Sequence, residues 1–217
     1  MQLQVDVTII GAGPAGTLLA YLLAEQYDKK VFLVDPLASK KWPNNYGVWQ
    51  AEWDALAQKL GLDLQACLAN KWEVTDCYFG GSWELPVDNR LRLDRPYGRV
   101  DRDKLKKLLR SSSKVRVLEE EVECQVVANN IYDSPAIRHS AAGSVVLLSN
   151  GDAVRTKLIV DTTGFESRLT RRLSPPGEPP APAPGFQIAY GCEVVVEGAF
   201  HYAPEAMTLF DYRQGLR

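Results

Sequence analysis

At 217 residues, 46% of them hydrophobic and 24% charged, the chain has the make-up of one large or two small globular domains, which excludes a disordered segment. A net charge of −2 excludes the broad basic field that nucleic-acid binding needs. Cys67, Cys77, Cys124 and Cys192 form no CxxC pair, and neither His139 nor His201 sits at ligand spacing, so reduced thiols and no metal site are expected.

Residues 5–24 are almost wholly apolar, but Asp6 and the run Gly11-Ala12-Gly13-Pro14-Ala15-Gly16 interrupt them. One proline and three glycines would break a spanning helix. No basic region precedes residue 5, which predicts no signal or transit peptide and a chain that is soluble or peripheral to a membrane. Residues 5–10 read as a short buried strand and 17–27 as a helix with Leu18, Leu19, Leu22 and Leu23 on its apolar face. Residues 31–34 read as a second strand, ending at Asp35.

Strand, glycine turn, helix, strand and acid, in that order, point to a dinucleotide site. Gly11 makes the tight turn, Gly13 lets the backbone approach a pyrophosphate, and Gly16 lets the helix pack on the strand. The helix start, with Pro14 at its first position and Ala15 next, offers phosphate the unpaired N–H groups that follow the proline. Asp35 is placed to accept hydrogen bonds from an adenosine ribose. The alternative is a glycine-rich turn with no ligand. No second GxGxxG follows, so a nicotinamide would have no Rossmann site of its own.

Residues 40–53, KKWPNNYGVWQAEW, read as a loop holding three tryptophans, two adjacent asparagines and a tyrosine. A short helix is expected over 51–60, closed by Gly61, then strands over 72–79 and 83–93. Residues 97–110 read as a loop and a helix that begins at Arg102 and turns Leu105, Leu108 and Leu109 inward. Taken alone, Arg102 is a solvated helix start. Strands are expected over 115–118 and 122–129. Asn150-Gly151 marks a hairpin turn within 145–160. Residues 157–169 read as a strand entering a glycine-containing turn. The proline-rich stretch 174–185 reads as a loop, followed by strands over 186–196 and 207–210.

Taken together, the glycine turn, residues 97–110 and residues 157–169 resemble the two-dinucleotide-binding FAD proteins. The resemblance implies that Arg102 reaches the FAD and that the Asp161-Thr162-Thr163-Gly164 turn packs beside it through Asp161 and Gly164. Gly151-Asp152-Ala153 looks like the GDA triplet that such proteins place on the flavin ribityl chain, but its hairpin setting makes it a β-turn. PNNYGVW (43–49), YGRVDR (97–102), IVDTTGFESRL (159–169), FQIAYGCEV (186–194) and DYR (211–213) follow the order seen in plant and cyanobacterial lycopene cyclases. The chain is identified as resembling the lycopene β/ε-cyclase family, which includes the capsanthin and neoxanthin synthase-like enzymes.

That resemblance implies an α/β fold: a discontinuous FAD/NAD(P)-binding Rossmann-like domain (1–42 and 95–175) interleaved with an incomplete, mainly β substrate domain (43–94 and 180–217). It implies an isomerase, or intramolecular lyase, that protonates a linear carotene such as lycopene, closes a ring through a carbocation and loses a proton. Reduced FAD is the implied cofactor and NAD(P)H the reductant. Tyr46 and Trp49 are candidate cation stabilisers, worth roughly 0.5–2 kcal/mol each when desolvated; alternatively Trp42, Tyr46 and Trp49 simply pack between domains. Asn44 and Asn45 suit a sharp loop. Asp211 is the best acid present, with a strand-end hydrogen-bonding role equally open, because the acidic FLEET-like motif of the family is absent.

The family's further length implies an N-terminal fragment, with a second chain as one source of the missing half. The expected location is peripheral, on the cytoplasmic side of a thylakoid or cytoplasmic membrane. Two other readings are a flavin-dependent monooxygenase or reductase of the same fold, and a catalytically inactive FAD-binding remnant.

Overall fold

The computed structural model describes residues 2–79, 90–122, 136–164, 169, 197–198 and 203–211. The chain divides into two units, Met1–Pro43 with Lys106–Pro184, and Asn44–Leu105 with Gly185–Arg217. In chain order the first elements are β1 (Gln2–Ile10), α1 (Pro14–Gln26), β2 (Val31–Val34), β3 (Gly47–Trp49), α2 (Gln50–Leu60), β4 (Leu68–Trp72) and β5 (Val74–Phe79). There follow β6 (Arg90–Leu93), β7 (Tyr97–Val100), α3 (Arg102–Leu109), β8 (Val115–Leu118), β9 (Ile137–Ser140), β10 (Gly143–Leu147), β11 (Ala153–Asp161) and β12 (Ala206–Asp211).

The first unit is a six-stranded sheet in the order β8-β2-β1-β11-β10-β9. The first four strands run parallel, and β10 and β9 add an antiparallel hairpin. Alternation along each strand separates two apolar faces. Val7, Ile9, Val31 and Leu33 pack with Ala20 of α1 on one face. Ile10, Phe32 and Val34 pack with Val146, Leu148 and Val154 on the other. This is the Rossmann-like α/β architecture expected from the sequence.

The face that α1 buries differs from expectation. Its buried residues are Gly16, Thr17, Ala20 and Ala24, spaced at one turn, while Leu18, Leu19, Leu22 and Leu23 are only half-buried. Small side chains let the helix backbone approach the sheet, and the leucines flank that contact.

The second unit contains two three-stranded sheets, β12-β5-β6 and β3-β7-β4. Two stretches read as loops are strands. Gly47–Trp49 pairs with Tyr97–Val100, and the latter also pairs with β4. Residues 95–105, read as the return to the cofactor domain, therefore belong to the second unit, because β7 is the central strand of that sheet. The strand expected over 72–79 is broken at Glu73 into β4 and β5. Asp76 is 1% exposed in β5 and is gripped by Arg92 (Nε to Oδ1 2.7 Å, Nη2 to Oδ2 2.8 Å) and Arg90 (Nη1 to Oδ2 3.2 Å) on β6.

Several expectations stand as observed: β2, β8, the helix that ends at Gly61, α3 with Leu105 and Leu109 buried, and the turn at Asn150-Gly151 between β10 and β11. Leu108, also expected inward, is half-buried. The segments 83–89, 123–129 and 174–196 lie outside the described residues, as do Cys124 and Cys192. Cys67 and Cys77 are buried free thiols.

Candidate functional site

Ile10, Val34 and Asp161 are register partners at the C-terminal ends of adjacent parallel strands. The segments leaving those ends therefore lie side by side, where open α/β sheets bind ligands. Each contributes one of the expected groups: Gly11 to Gly16 after β1, Asp35 after β2, and the Thr162-Thr163-Gly164 turn after β11.

The glycine turn is held by bonds to its backbone. Gly11 has φ +106°, and a side chain there would press on the Thr162 carbonyl 2.5 Å away. A side chain at Gly16 would overlap the Gly11 carbonyl and the Thr162 hydroxyl. Thr162 Oγ1 shares its one hydroxyl proton between the carbonyls of Ile10 (2.9 Å) and Gly11 (2.8 Å). The Ala12 N–H donates to Asp35 Oδ2 at 2.7 Å. The Ala12 carbonyl accepts from Trp42 Nε1 (2.8 Å) and Thr17 Oγ1 (3.1 Å).

The outer side of the turn has the opposite character. A Cβ built on Gly13 meets nothing within 4 Å. Pro14 occupies the first turn of α1, no side chain caps the helix, and no acid lies in its first turn. The N–H groups of Ala15 and Gly16 lack intrahelical acceptors, as helix starts do. Open space, backbone donors and a helix dipole form an anion cradle. Asp35 Oδ1 accepts the Leu37 N–H at 2.7 Å. With one bond to each oxygen, a carboxylate keeps further lone pairs for a ribose hydroxyl. These residues fit the pyrophosphate and ribose of a dinucleotide.

Asp161 is turned to its own loop, accepting from the Thr163 N–H (3.0 Å) and hydroxyl (2.7 Å). Gly164 follows with φ +92°. The sequence did not single out Trp42, Thr17 or Thr162 as supports of the turn. Only Thr162 carried a signal, as part of the DTTG run.

Residues 44–49 of the PNNYGVW stretch and Arg102 are in the second unit. Arg102 Nη1 donates to the Asn44 carbonyl at 2.9 Å, and the Tyr46 carbonyl accepts from the Val100 N–H at 2.9 Å. Arg102 is thus a brace of the Asn-Asn loop rather than a merely solvated helix start. Tyr46 is half-buried, and burial raises its hydroxyl pKa while the Arg102 charge opposes that rise. Trp49 packs edge-on against Tyr97, with centroids 5.0 Å apart and planes at 79°. Arg95 lies over the Trp49 ring at 4.2 Å from its centroid. Asp211 ends β12 opposite Phe79, and its side chain is outside the described set. Among the described residues no group of three His, Cys, Asp or Glu is placed to hold a metal ion.

The family model described as "Lycopene cyclase protein" matches residues 6–217. The chain is 37% identical over 215 residues to a chloroplastic neoxanthin synthase of Solanum lycopersicum, covering 97% of the chain and 36% of that protein. It is 31% identical over 214 residues to a chloroplastic lycopene beta cyclase of Nicotiana tabacum, again covering 97% of the chain and 36% of the relative. The chain thus spans little more than a third of the length of these relatives. Among solved structures, a probable FAD-dependent monooxygenase from Pseudomonas aeruginosa superposes with TM-score 0.54 at 18% identity, over 75% of this chain and 43% of the other. A geranylgeranyl bacteriochlorophyll reductase-like protein from Thermoplasma acidophilum gives 0.56 at 19%, over 76% and 41%. These two likenesses establish the fold, and the matched family model establishes membership: the chain belongs to the lycopene cyclase family.

Proposed function

We propose that this chain carries the flavin-binding domain of a lycopene cyclase, which closes the ψ-ends of a linear carotene into β- or ε-rings. The observation that supports this most is the anion cradle at Gly13, Ala15 and Gly16 beside Asp35, in a chain of this family. In the reaction a proton adds to the terminal double bond and leaves a tertiary cation. A second double bond attacks it, the ring carbon–carbon bond forms, and an adjacent proton is lost. One proton enters and one leaves, and no electrons are transferred.

Reduced FAD, when bound, supplies electron-rich character against positive charge, with NAD(P)H as the source of its electrons. The chain's own residues bind and orient. The cradle takes the pyrophosphate, and Asp35 takes the ribose. Arg102 keeps Asn44 and the PNNYGVW loop in shape. Of the two candidate cation stabilisers, Tyr46 is the stronger. One face of Trp49 already carries the Arg95 guanidinium, and a second positive charge on that face is repelled. Asp211 stays a candidate acid at the end of β12. Carotenes dissolve in membranes, so the protein works at a membrane surface, although no helix among the described residues is long and apolar enough to cross one.

The test is expression of the chain in lycopene-accumulating bacteria, with pigment analysis and FAD titration of the purified protein. FAD binding is expected, and any new carotene should be cyclic and of unchanged mass. Hydroxylated or hydrogenated carotene would move the reading to a monooxygenase or reductase. Absence of both cyclic product and FAD binding would overturn it.

A further inference from the structure

We infer that Trp42 is a positioning residue of the dinucleotide turn, setting the direction of the Gly13 N–H, an inference that rests on the flavin reading above. A trans peptide carries its C=O and the following N–H in opposite directions. The peptide between Gly11 and Ala12 is pinned at both ends, its oxygen by Thr162 and its N–H by Asp35. The next peptide, between Ala12 and Gly13, is pinned among the described residues at its oxygen, by Trp42 Nε1 and Thr17 Oγ1. With that oxygen drawn inward, the Gly13 N–H is turned to the opposite side of the peptide, and a Cβ built on the same residue meets nothing within 4 Å. The indole therefore aims a phosphate donor that it does not touch.

Trp42 is itself fixed. It is 5% exposed, and its indole N–H is committed to the Ala12 carbonyl across 30 residues of sequence. The Lys106 ammonium lies 5.7 Å from the centroid of its ring and donates to the Lys40 carbonyl, two residues before the tryptophan. The link after β2 is thereby tied to the turn after β1. Thr17, one turn into α1, is the second support of the same oxygen and is 1% exposed. A buried carbonyl with two donors resists rotation more than a carbonyl with one.

The experiment is titration of the purified chain with ADP, FAD and adenosine, for the wild type, Trp42→Phe, Thr17→Val and Thr17→Ser. Melting temperatures and amide hydrogen exchange at Gly13 are measured without ligand. Trp42→Phe keeps an aromatic ring and deletes the N–H. It is expected to weaken ADP and FAD by the same factor, about five- to twentyfold. Adenosine, which lacks the phosphates, should bind unchanged, and Gly13 exchange should quicken. Thr17→Val should repeat the pattern, and Thr17→Ser, which keeps the hydroxyl, should restore wild-type affinity. This threonine pair decides the matter if the tryptophan variant fails to fold.

Equal ADP affinity in the wild type, Trp42→Phe and Thr17→Val would overturn the inference and leave the flavin reading intact. So would a loss that falls equally on adenosine. A wild-type chain that binds neither ADP nor FAD would overturn the flavin reading itself, and this inference with it.

Discussion

The Asp35 carboxylate accepts the backbone N–H of Ala12 at 2.7 Å, joining two residues 23 apart in sequence. The acid proposed to meet a ribose is therefore also a support of the turn proposed to meet the phosphates. Its other oxygen holds the Leu37 N–H. An amide in its place would turn an N–H2 group toward one of these donors. Asp35→Asn should weaken FAD by about tenfold or more, through a repelled donor and a lost ribose acceptor together. Isothermal titration of the wild type, Asp35→Asn and Asp35→Glu checks this, and unchanged affinity in the Asn variant would remove Asp35 from the site.

The three glycines of the turn should separate cleanly. A methyl at Gly16 overlaps the Gly11 carbonyl, and one at Gly11 must accept both φ +106° and the Thr162 carbonyl. Either alanine variant should lose folded protein, seen as a large fall in melting temperature. A methyl at Gly13 meets nothing, and φ −67° with ψ −178° suits any residue. As an N-cap change, Gly13→Ala should cost about 1 kcal/mol at most in stability. It should nonetheless cut FAD affinity by more than tenfold, because the methyl stands where a phosphate must approach. A Gly13→Ala protein that binds FAD like the wild type would mean the cradle is not used.

Asp76 gives a pH prediction. Its hydrogen bonds from Arg92 hold the carboxyl pKa below the ordinary aspartate value, and nearby Arg90 adds to the effect, while burial opposes both. A carboxyl whose pKa is depressed in the folded state stabilises the fold above its unfolded pKa and loses that contribution as pH falls through the folded value. Asp76→Asn should therefore destabilise the chain at neutral pH by about 1–3 kcal/mol, the lower end favoured because both arginines reach solvent. The difference should shrink below about pH 4, where the unfolded carboxyl protonates. Urea melts of both proteins from pH 7 to pH 2.5 test it. A gap that persists unchanged at the acid end would mean that shape, not charge, sets the cost.

What could be read from the sequence follows the range of the forces involved. β2 is a short apolar strand buried along its whole length, and its boundaries were legible because every residue carries the same signal. The glycine turn was legible for a related reason: its steric demands come from neighbours within a few residues. β7 was not, since its buried positions are Gly98 and Val100, and a glycine reads as a break. β4 has three exposed residues between two half-buried ones, which hides its alternation. Trp42 looked like one more aromatic of the PNNYGVW stretch. Its role depends on a bond across 30 residues to a backbone oxygen, and no local pattern announces such a bond. For Arg102, the resemblance implied cofactor contact, while the structure has it donating to the Asn44 carbonyl.

The PNNYGVW stretch supplies the last prediction. A Cβ on Gly47 would overlap the Tyr97 ring and hydroxyl. That ring has little freedom, lying 5.0 Å from Trp49 and 6.3 Å from Trp72, centroid to centroid. β3 also pairs Gly47 with Arg99 and Trp49 with Tyr97, so the strand cannot slide away without breaking its ladder. Gly47→Ala should therefore cost about 1–3 kcal/mol, as overpacking of a rigid site does. In a Tyr97→Val background the obstructing ring is gone, and the same glycine change should cost less than about 1 kcal/mol. A double-mutant cycle read by urea denaturation gives the coupling directly. Strong coupling would mean that the glycine of the stretch is there to admit Tyr97. Simple additivity would mean that the demand at Gly47 comes from its own backbone, and that the aromatic cluster forms without its help.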